Sequence, residues 1–381
     1  MKKLLGGLGL LLLILLAFLL WRYPYLLRAA RHIYLKGHTT AFIADFKDYP
    51  RRKIERSPEV WHWPLHKQYN RIPLTADLEK AFRKYGTVAF LIIKNDSILI
   101  EKYYEGYTKD SLSNSFSMAK SIVASLVAKA IEEGKIGSWQ DKVKKYLPGI
   151  KGPYADSVRI IDLAMMSGGT DWQENYYGPF NITAESYFTR DLDRLMLDKV
   201  RFVHPPGKAY RYCSGDTQFL GMIVRKATGK HLSGYLSEKF WKPMGMRREA
   251  WWNLDREDGN EKAFCCINAD ARDFARFGRL FLHKGNWNGR QLLDTADVVR
   301  MTRPHLPGTD FYGLQWWLFN YRGVQGYQMI GHLGQYVIVL PSENAVIVRL
   351  GHKKEHAAKG QMPGDLKIYW RESLKILHRA S

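Results

Sequence analysis

Cysteine is scarce in this chain of 381 residues, with three in all: Cys213, Cys265 and Cys266. No C-x-x-C pair occurs, which excludes a zinc ribbon and a disulfide framework. Cys265 and Cys266 are adjacent, and neighbouring cysteines rarely bridge because the geometry is unfavourable. All three are expected to be unbridged and structural. Acidic residues are also short. Against 58 Lys and Arg there are 37 Asp and Glu, a formal net charge of +21, and such a field favours anionic surroundings. The basic residues are scattered, however, with Arg51-Arg52-Lys53 the longest run. Neither zinc-finger spacing nor an aromatic-basic single-strand signature accompanies them. Specific nucleic-acid binding is not expected, and a basic surface close to a membrane accounts better for the charge. Internal repeats are absent, and low complexity is confined to the leucine-rich start.

With 46% hydrophobic, 13% aromatic and 25% charged residues, the chain has the composition of a globular protein with a large core. After Lys2 and Lys3, Leu4 to Trp21 carries no charge. These 18 residues, at about 1.5 Å rise each, approach the ~30 Å hydrocarbon core of a bilayer. A cleavable signal peptide has a shorter apolar region followed by small residues. Here Trp21-Arg22-Tyr23 follow instead, as at an aromatic-basic membrane interface. Residues 1–22 are therefore expected to be one uncleaved transmembrane anchor. Arg22, Arg28, Arg31 and Lys36 beyond it outweigh Lys2 and Lys3 before it, which slightly favours a cytoplasmic domain; charge alone does not decide the orientation. Residues 23–71, basic and punctuated by Pro24, Pro50, Pro58 and Pro64, read as a stalk packing on a domain of residues 72–381.

That domain opens with an amphipathic helix near Ala76–Tyr85. Two β-branched and aromatic runs follow, Thr87–Ile93 and Ser97–Tyr104, joined by the turn Lys94-Asn95-Asp96. Met118, Ile122, Val123, Leu126, Val127, Ala130 and Ile131 recur at helical spacing until Gly134. The middle of the domain reads as helices and loops, with helices over Ile160–Met166, Asp216–Thr228 and Ala269–His283. Strand character returns at Tyr327–Met329, Tyr336–Leu340 and Ala345–Leu350, before a last helix over Gly364–Leu377. The expected fold class is α/β: one antiparallel sheet from N- and C-terminal strands, packed by helices and interrupted by a helical insertion.

Ser117-Met118-Ala119-Lys120 is the one S-x-x-K in the chain, and no G-x-S-x-G elbow competes with it. Residues three apart share a helix face. A serine at a helix start meets unpaired N–H groups and the positive end of the dipole. A desolvated lysine behind it has a lowered pKa and can take its proton. A capping serine with a surface lysine is the ordinary reading of four such residues, but the strongly apolar helix that follows favours a buried site. Tyr212, in Tyr210-Arg211-Tyr212-Cys213-Ser214, is a candidate acid or base if a cation stands beside it. Gly331-His332-Leu333-Gly334-Gln335 enters an apolar strand, where glycines permit close approach of a substrate and strand N–H groups can face an oxyanion. His352-Lys353-Lys354-Glu355-His356 matches H-x-x-E-H, but it follows a strand and Gly351 rather than lying on a helix. His62 and His66 are separated by Pro64. No metal site is expected.

S-x-x-K, a Tyr-x-Asn-like motif and a Lys/His-x-Gly motif in this order resemble the serine β-lactamases and penicillin-binding proteins. The flanking segments Asp162–Tyr176 (DLAMMSGGTDWQENY), Lys242–Met246 (KPMGM) and GHLGQYVIVLP are similar to class C β-lactamase-related hydrolases, particularly the 6-aminohexanoate-dimer hydrolase and esterase branch. The resemblance covers about Thr87 to Leu350. It implies a β-lactamase/transpeptidase-like fold, no cofactor, and hydrolysis of a small ester or amide through an acyl-enzyme. By position it implies Ser117 as nucleophile and Lys120 as its base, with Tyr212 as the family tyrosine. His332 would head the third motif, Gly334 and the Gln335 N–H would line the oxyanion side, and Tyr176 would be a substrate-side tyrosine. It also implies a domain on the periplasmic side of a bacterial inner membrane. Two departures stand out. Ser214 replaces the usual asparagine, removing an amide donor, and His332-Leu333 replace Lys and Thr/Ser, removing a fixed charge and a hydroxyl. Both lower the expectation of β-lactam hydrolysis. A D-Ala peptidase or β-lactamase using the same residues is the alternative, and a catalytically silent scaffold the second, which retention of Ser117, Lys120 and Tyr212 opposes.

Overall fold

The computed structural model describes residues 2–358 and 360–380. Met1 and Ser381, the outer ends of the expected anchor and domain, lie outside the described residues. Among the described residues, the strands run in chain order: β1 (Arg51–Ile54), β2 (Thr87–Lys94), β3 (Ser97–Tyr103), β4 (Ser113–Asn114), β5 (Ala250–Asn253), β6 (Ile267–Ala269), β7 (Asn286–Trp287), β8 (Arg290–Gln291), β9 (Trp317–Tyr321), β10 (Val324–Ile330), β11 (Tyr336–Leu340) and β12 (Ala345–Gly351). The α-helices are α1 (Lys2–Arg22), α2 (Leu26–His32), α3 (Ala76–Tyr85), α4 (Met118–Glu132), α5 (Ile160–Ala164), α6 (Ile182–Phe188), α7 (Leu192–Lys199), α8 (Ser214–Thr228), α9 (Leu232–Leu236), α10 (Ala271–Leu282), α11 (Thr295–Met301) and α12 (Gly364–Arg379).

The main sheet has the order β3-β2-β12-β11-β10-β9 and is antiparallel throughout. N- and C-terminal strands thus meet at the β2–β12 pair, with Val348 opposite Leu91. Both are buried along nearly their whole length, because the sheet is covered on both faces and a continuous apolar run is what such strands need. Helix α10 lies on one face. Gly278 permits the approach, since a Cβ there would stand 2.5 Å from Val346 Cγ1. Helices α3 and α12 cover the other face, through Leu78, Phe82, Leu366, Tyr369 and Trp370. The helical insertion between β4 and β9 packs α8 against α4, the helix that begins just past Ser117.

Several features depart from expectation. Strand β9 has no clear period-2 signature in Trp317–Tyr321 and is the edge of the main sheet next to β10, with a bridge from Trp317 to Tyr312 on its other side. A second sheet, ordered β1-β5-β6-β4, consists of strands of two to four residues. Its β1 comes from the segment read as a stalk, with Arg51 opposite Asn253. Cys265 and Cys266 are joined as a vicinal disulfide, contrary to the expectation that they stay unbridged. Cys266 adopts a left-handed φ of 75° in a tight buried turn, which brings the two sulfurs together.

Helix α1 leaves its leucines from Leu5 to Leu16 exposed, Leu11 and Leu13 each at 64%. Among the described residues no single helix is long and apolar enough to cross a membrane. Gly7–Arg22 and Leu26–Lys36 reach that standard only together, bent by 93° at the break between them. Helix α2 then turns onto the domain. Tyr25 Oη donates to Pro179 O at 2.8 Å, and the Tyr23 ring meets Phe180 edge-on at 5.3 Å.

Candidate active site

The nucleophile loop is built by local hydrogen bonding. Asn114 Oδ1 accepts from the Phe116 N–H at 2.8 Å while its Nδ2 donates to Asp45 at 2.9 Å. The Ser115 N–H donates to Ile267 O at 2.7 Å, and its hydroxyl accepts from the Ile267 N–H at 3.0 Å. Phe116 is thereby held at φ 43°, a left-handed conformation that costs a non-glycine residue of order 1–3 kcal/mol. Such a turn places Ser117 at the N-cap of α4, half-buried at the edge of the cleft. Gly331 packs against the loop: a Cβ there would fall 2.3 Å from Ser115 O. The end of β10 thus lies directly beside the serine.

Lys120 sits one turn along α4 and is only 2% exposed. Its Nζ donates to Ser117 Oγ at 3.1 Å, Ser214 Oγ at 3.0 Å and Phe264 O at 2.7 Å. Burial pulls its pKa down to about 8, against the opposing pull of Glu174 and Cys213. An amine so poised, within hydrogen-bond reach of a hydroxyl, can accept its proton at neutral to mildly alkaline pH. Tyr212 hydrogen-bonds Ser117 from the other side. Its ring stacks on Trp317 at 5.7 Å and lies 5.3 Å from Lys120 Nζ. Burial first, and Glu174 second, push the Tyr212 phenol well above its ordinary range. Its hydroxyl keeps its proton in the resting site, so the phenolate form expected of a base is disfavoured.

Glu174 is the residue that sequence reasoning passed over. It lies two before Tyr176 in Trp172-Gln173-Glu174-Asn175-Tyr176. Its carboxylate accepts from Trp172 Nε1 at 2.9 Å, the Ser214 N–H at 2.7 Å, Ser214 Oγ at 2.6 Å and the Tyr176 hydroxyl. The alternation Trp-x-Glu-x-Tyr, which puts three side chains on one side of an extended segment, was the available signal. Ser214 also gains a meaning. Its hydroxyl accepts from Lys120 and donates to Glu174, so it links the two charged groups.

Tyr176 and His332 stand together, stacked at 5.2 Å and 23°. His332 also meets Phe116 edge-on and lies 3.4 Å from Thr40 Oγ1. Burial drives its pKa down to about 3, with Lys354 and His356 adding to the effect, so the imidazole is neutral at physiological pH. The Gln335 side chain turns away from the cleft: Nε2 donates to Gly351 O at 2.7 Å and His332 O at 3.1 Å. Only its backbone is left for a substrate. Gly334 has φ 81°, and a Cβ there would meet Arg349 Nη1 at 2.3 Å. Arg349, not an incoming substrate, is what comes close to this glycine. In the H-x-x-E-H stretch, which is irregular, His352 pairs with Glu105 at 3.1 Å while His356 faces Tyr177.

A family model described as Beta-lactamase matches residues 75–366. The chain is 29% identical to the 6-aminohexanoate-dimer hydrolase of Paenarthrobacter ureafaciens, over 72% of this chain and 74% of that one. It is 23% identical to the N-acetylmuramyl-L-alanine amidase of Bacillus subtilis (strain 168), over 70% and 77%. Among solved structures, a Bacillus anthracis protein assigned as a 6-aminohexanoate-dimer hydrolase superposes with a TM-score of 0.75 at 24% identity, covering 93% of this chain and 94% of that one.

Proposed function

The chain belongs to the Beta-lactamase family of serine hydrolases, and on that premise we propose that it cleaves an ester or amide through an acyl-enzyme on Ser117. The observation that carries this reading is the buried Lys120 amine, 3.1 Å from Ser117 Oγ with its pKa near 8. Ser117 Oγ attacks the substrate carbonyl carbon as its proton passes to Lys120. The oxyanion forms against the N–H groups of Ser117 and Gln335, where preorganised donors lower the barrier. Tyr212, protonated at rest, gives its proton to the leaving group and recovers one from Lys120. Water then attacks the acyl-enzyme, and the same groups return to their starting states.

Esters and simple amides suit this site better than β-lactams. A carboxylate-bearing lactam needs a cation and a hydroxyl in the third motif, whereas His332 is neutral and Leu333 offers no side-chain donor. Each missing charge-assisted contact is worth about 1.5–3 kcal/mol, or roughly ten- to a hundredfold. Wild-type kcat/KM is expected to favour p-nitrophenyl butyrate over a chromogenic cephalosporin by at least about a hundredfold. The double variant His332→Lys, Leu333→Thr should narrow that gap about tenfold. Part of the gain is forfeited because the site that depresses the histidine also disfavours a lysine's charge. A wild type that prefers the cephalosporin would point to the D-Ala peptidase and β-lactamase branch instead.

Helix α1 and its exposed leucines support a membrane anchor, and the family resemblance supports placing the hydrolase domain on the extracytoplasmic side. Detergent, but not high salt or carbonate, is expected to extract the full-length chain, and protease added to intact spheroplasts should digest the domain. Release by salt alone would assign attachment to the +21 charge, and protection from protease would reverse the orientation.

A further inference from the structure

An apolar cavity beside His332 and Tyr176 lies between two helices. Ala29 and Ile33 of the α2 segment form one wall, and Ala184 and Phe188 of α6 the other. No Asp, Glu, Lys or Arg is among its lining residues, so nothing in it calls for a charged ligand. Its roof, α2, precedes the residues 75–366 that the family model matches. The roof therefore lies outside the matched region, and the Tyr25–Pro179 hydrogen bond holds it on the domain.

The outer end is as informative as the inner. Tyr34, Leu35, Tyr177 and Phe180 are exposed hydrophobic side chains around the mouth or next to it. The Tyr23–Phe180 contact ties this rim to the foot of α1, whose leucines from Leu5 to Leu16 are exposed. Exposed apolar side chains thus stand at the outer end of the cavity, and His332 and Tyr176 at its inner end. Tyr212, which protonates the leaving group, lines a separate cleft with Arg211, Trp317 and Lys354. With Tyr212 as the proton donor to the leaving group, that cleft is assigned to the leaving group and the cavity beside His332, whose lining lacks Tyr212, to the acyl group.

We propose that this cavity, of about 60 Å³, is a subsite for the first few methylenes of an acyl chain, roofed by α2, which makes the enzyme selective for esters or amides of apolar acids. The proposal rests on the hydrolase reading above and adds the substrate class to it. Each methylene buried in such a slot can multiply kcat/KM by up to about fourfold. Filling the slot should cancel the gain.

The test uses the full-length chain in lipid nanodiscs and a series of p-nitrophenyl esters from acetate to decanoate. In the wild type kcat/KM should climb with acyl length over the first few methylenes. Ala29→Phe, from the α2 wall, and Ala184→Phe, from the α6 wall, should each lower the decanoate-to-acetate ratio at least tenfold. Two walls are used so that misfolding of one variant does not leave the matter undecided. A chain-length profile that is flat in the wild type, or a ratio unchanged in both variants, overturns the subsite. If the wild type hydrolyses no ester at all, the hydrolase reading fails by itself. The subsite is then judged by binding of 11-(dansylamino)undecanoic acid: binding that Ala29→Phe abolishes upholds it, and equal binding by both chains overturns it.

Discussion

Replacing Ser117 by alanine is expected to lower kcat on p-nitrophenyl butyrate by about 10⁴-fold or more. The size of the loss follows from the mechanism. Without Oγ there is no acyl-enzyme, and the remaining oxyanion donors and binding surface retain only the modest residual rate that sites without a nucleophile show. The fold should survive. Ser117 is at the cleft edge, and after its removal Lys120 Nζ still has Ser214 Oγ and Phe264 O as acceptors. The loss of one hydrogen bond is worth about 0.5–1.5 kcal/mol. Relief at the left-handed Phe116 does not depend on the hydroxyl, so the melting temperature should move by only a few degrees. A fluorophosphonate probe with peptide mapping supplies the second readout: the adduct is expected on Ser117 in the wild type and nowhere in the variant. Activity above about a hundredth of wild type, or an adduct on another serine, would show that the nucleophile lies elsewhere.

What the sequence could show of this machinery, and what it could not, divides along the distance over which each feature is encoded. Helix α4 and strands β2, β3, β11 and β12 were legible because apolar periodicity and β-branched runs are local signals. S-x-x-K was legible for the same reason, since three-residue spacing on a helix places Ser117 and Lys120 together. The two- to four-residue strands of the small sheet have too few positions for a period to register, and tertiary pairing alone makes them strands. The third acceptor of Lys120 is a backbone carbonyl, Phe264 O, which no side-chain motif can announce. Glu174 was hidden because its importance comes from what converges on it from 40 residues away, Ser214 above all. The reading of Ser214 as a lost amide donor was reasonable by position, yet the hydroxyl is occupied in joining Lys120 to Glu174. Likewise Gly334 and Gln335 were noticed for the right loop, but Arg349 fills the space beside Gly334 and the Gln335 side chain is bound to Gly351 at the end of β12.

Lys120 carries the other large effect. Lys120→Met, which keeps the volume and removes the amine, is expected to lower kcat/KM by about a thousandfold. Lys120→Arg separates base from charge, because a guanidinium keeps its proton and cannot accept another; it should be about as inactive as the methionine variant. The wild-type pH profile follows from the depressed pKa. Below about 8 the folded-state lysine is protonated, so kcat/KM should rise close to tenfold per pH unit up to that point and level off above it. The sign for stability runs the same way. The unfolded chain holds this proton up to about 10.5 and the folded one loses it near 8, so the group's contribution to stability increases as pH rises between those values. Glu174 raises the Lys120 pKa, and Glu174→Gln should therefore shift the step in the profile to lower pH. That displacement is a readout which simple loosening of the site would not produce. Should Lys120→Arg keep more than about a tenth of wild-type activity, the lysine would be acting through its charge, and proton transfer from Ser117 would need another acceptor.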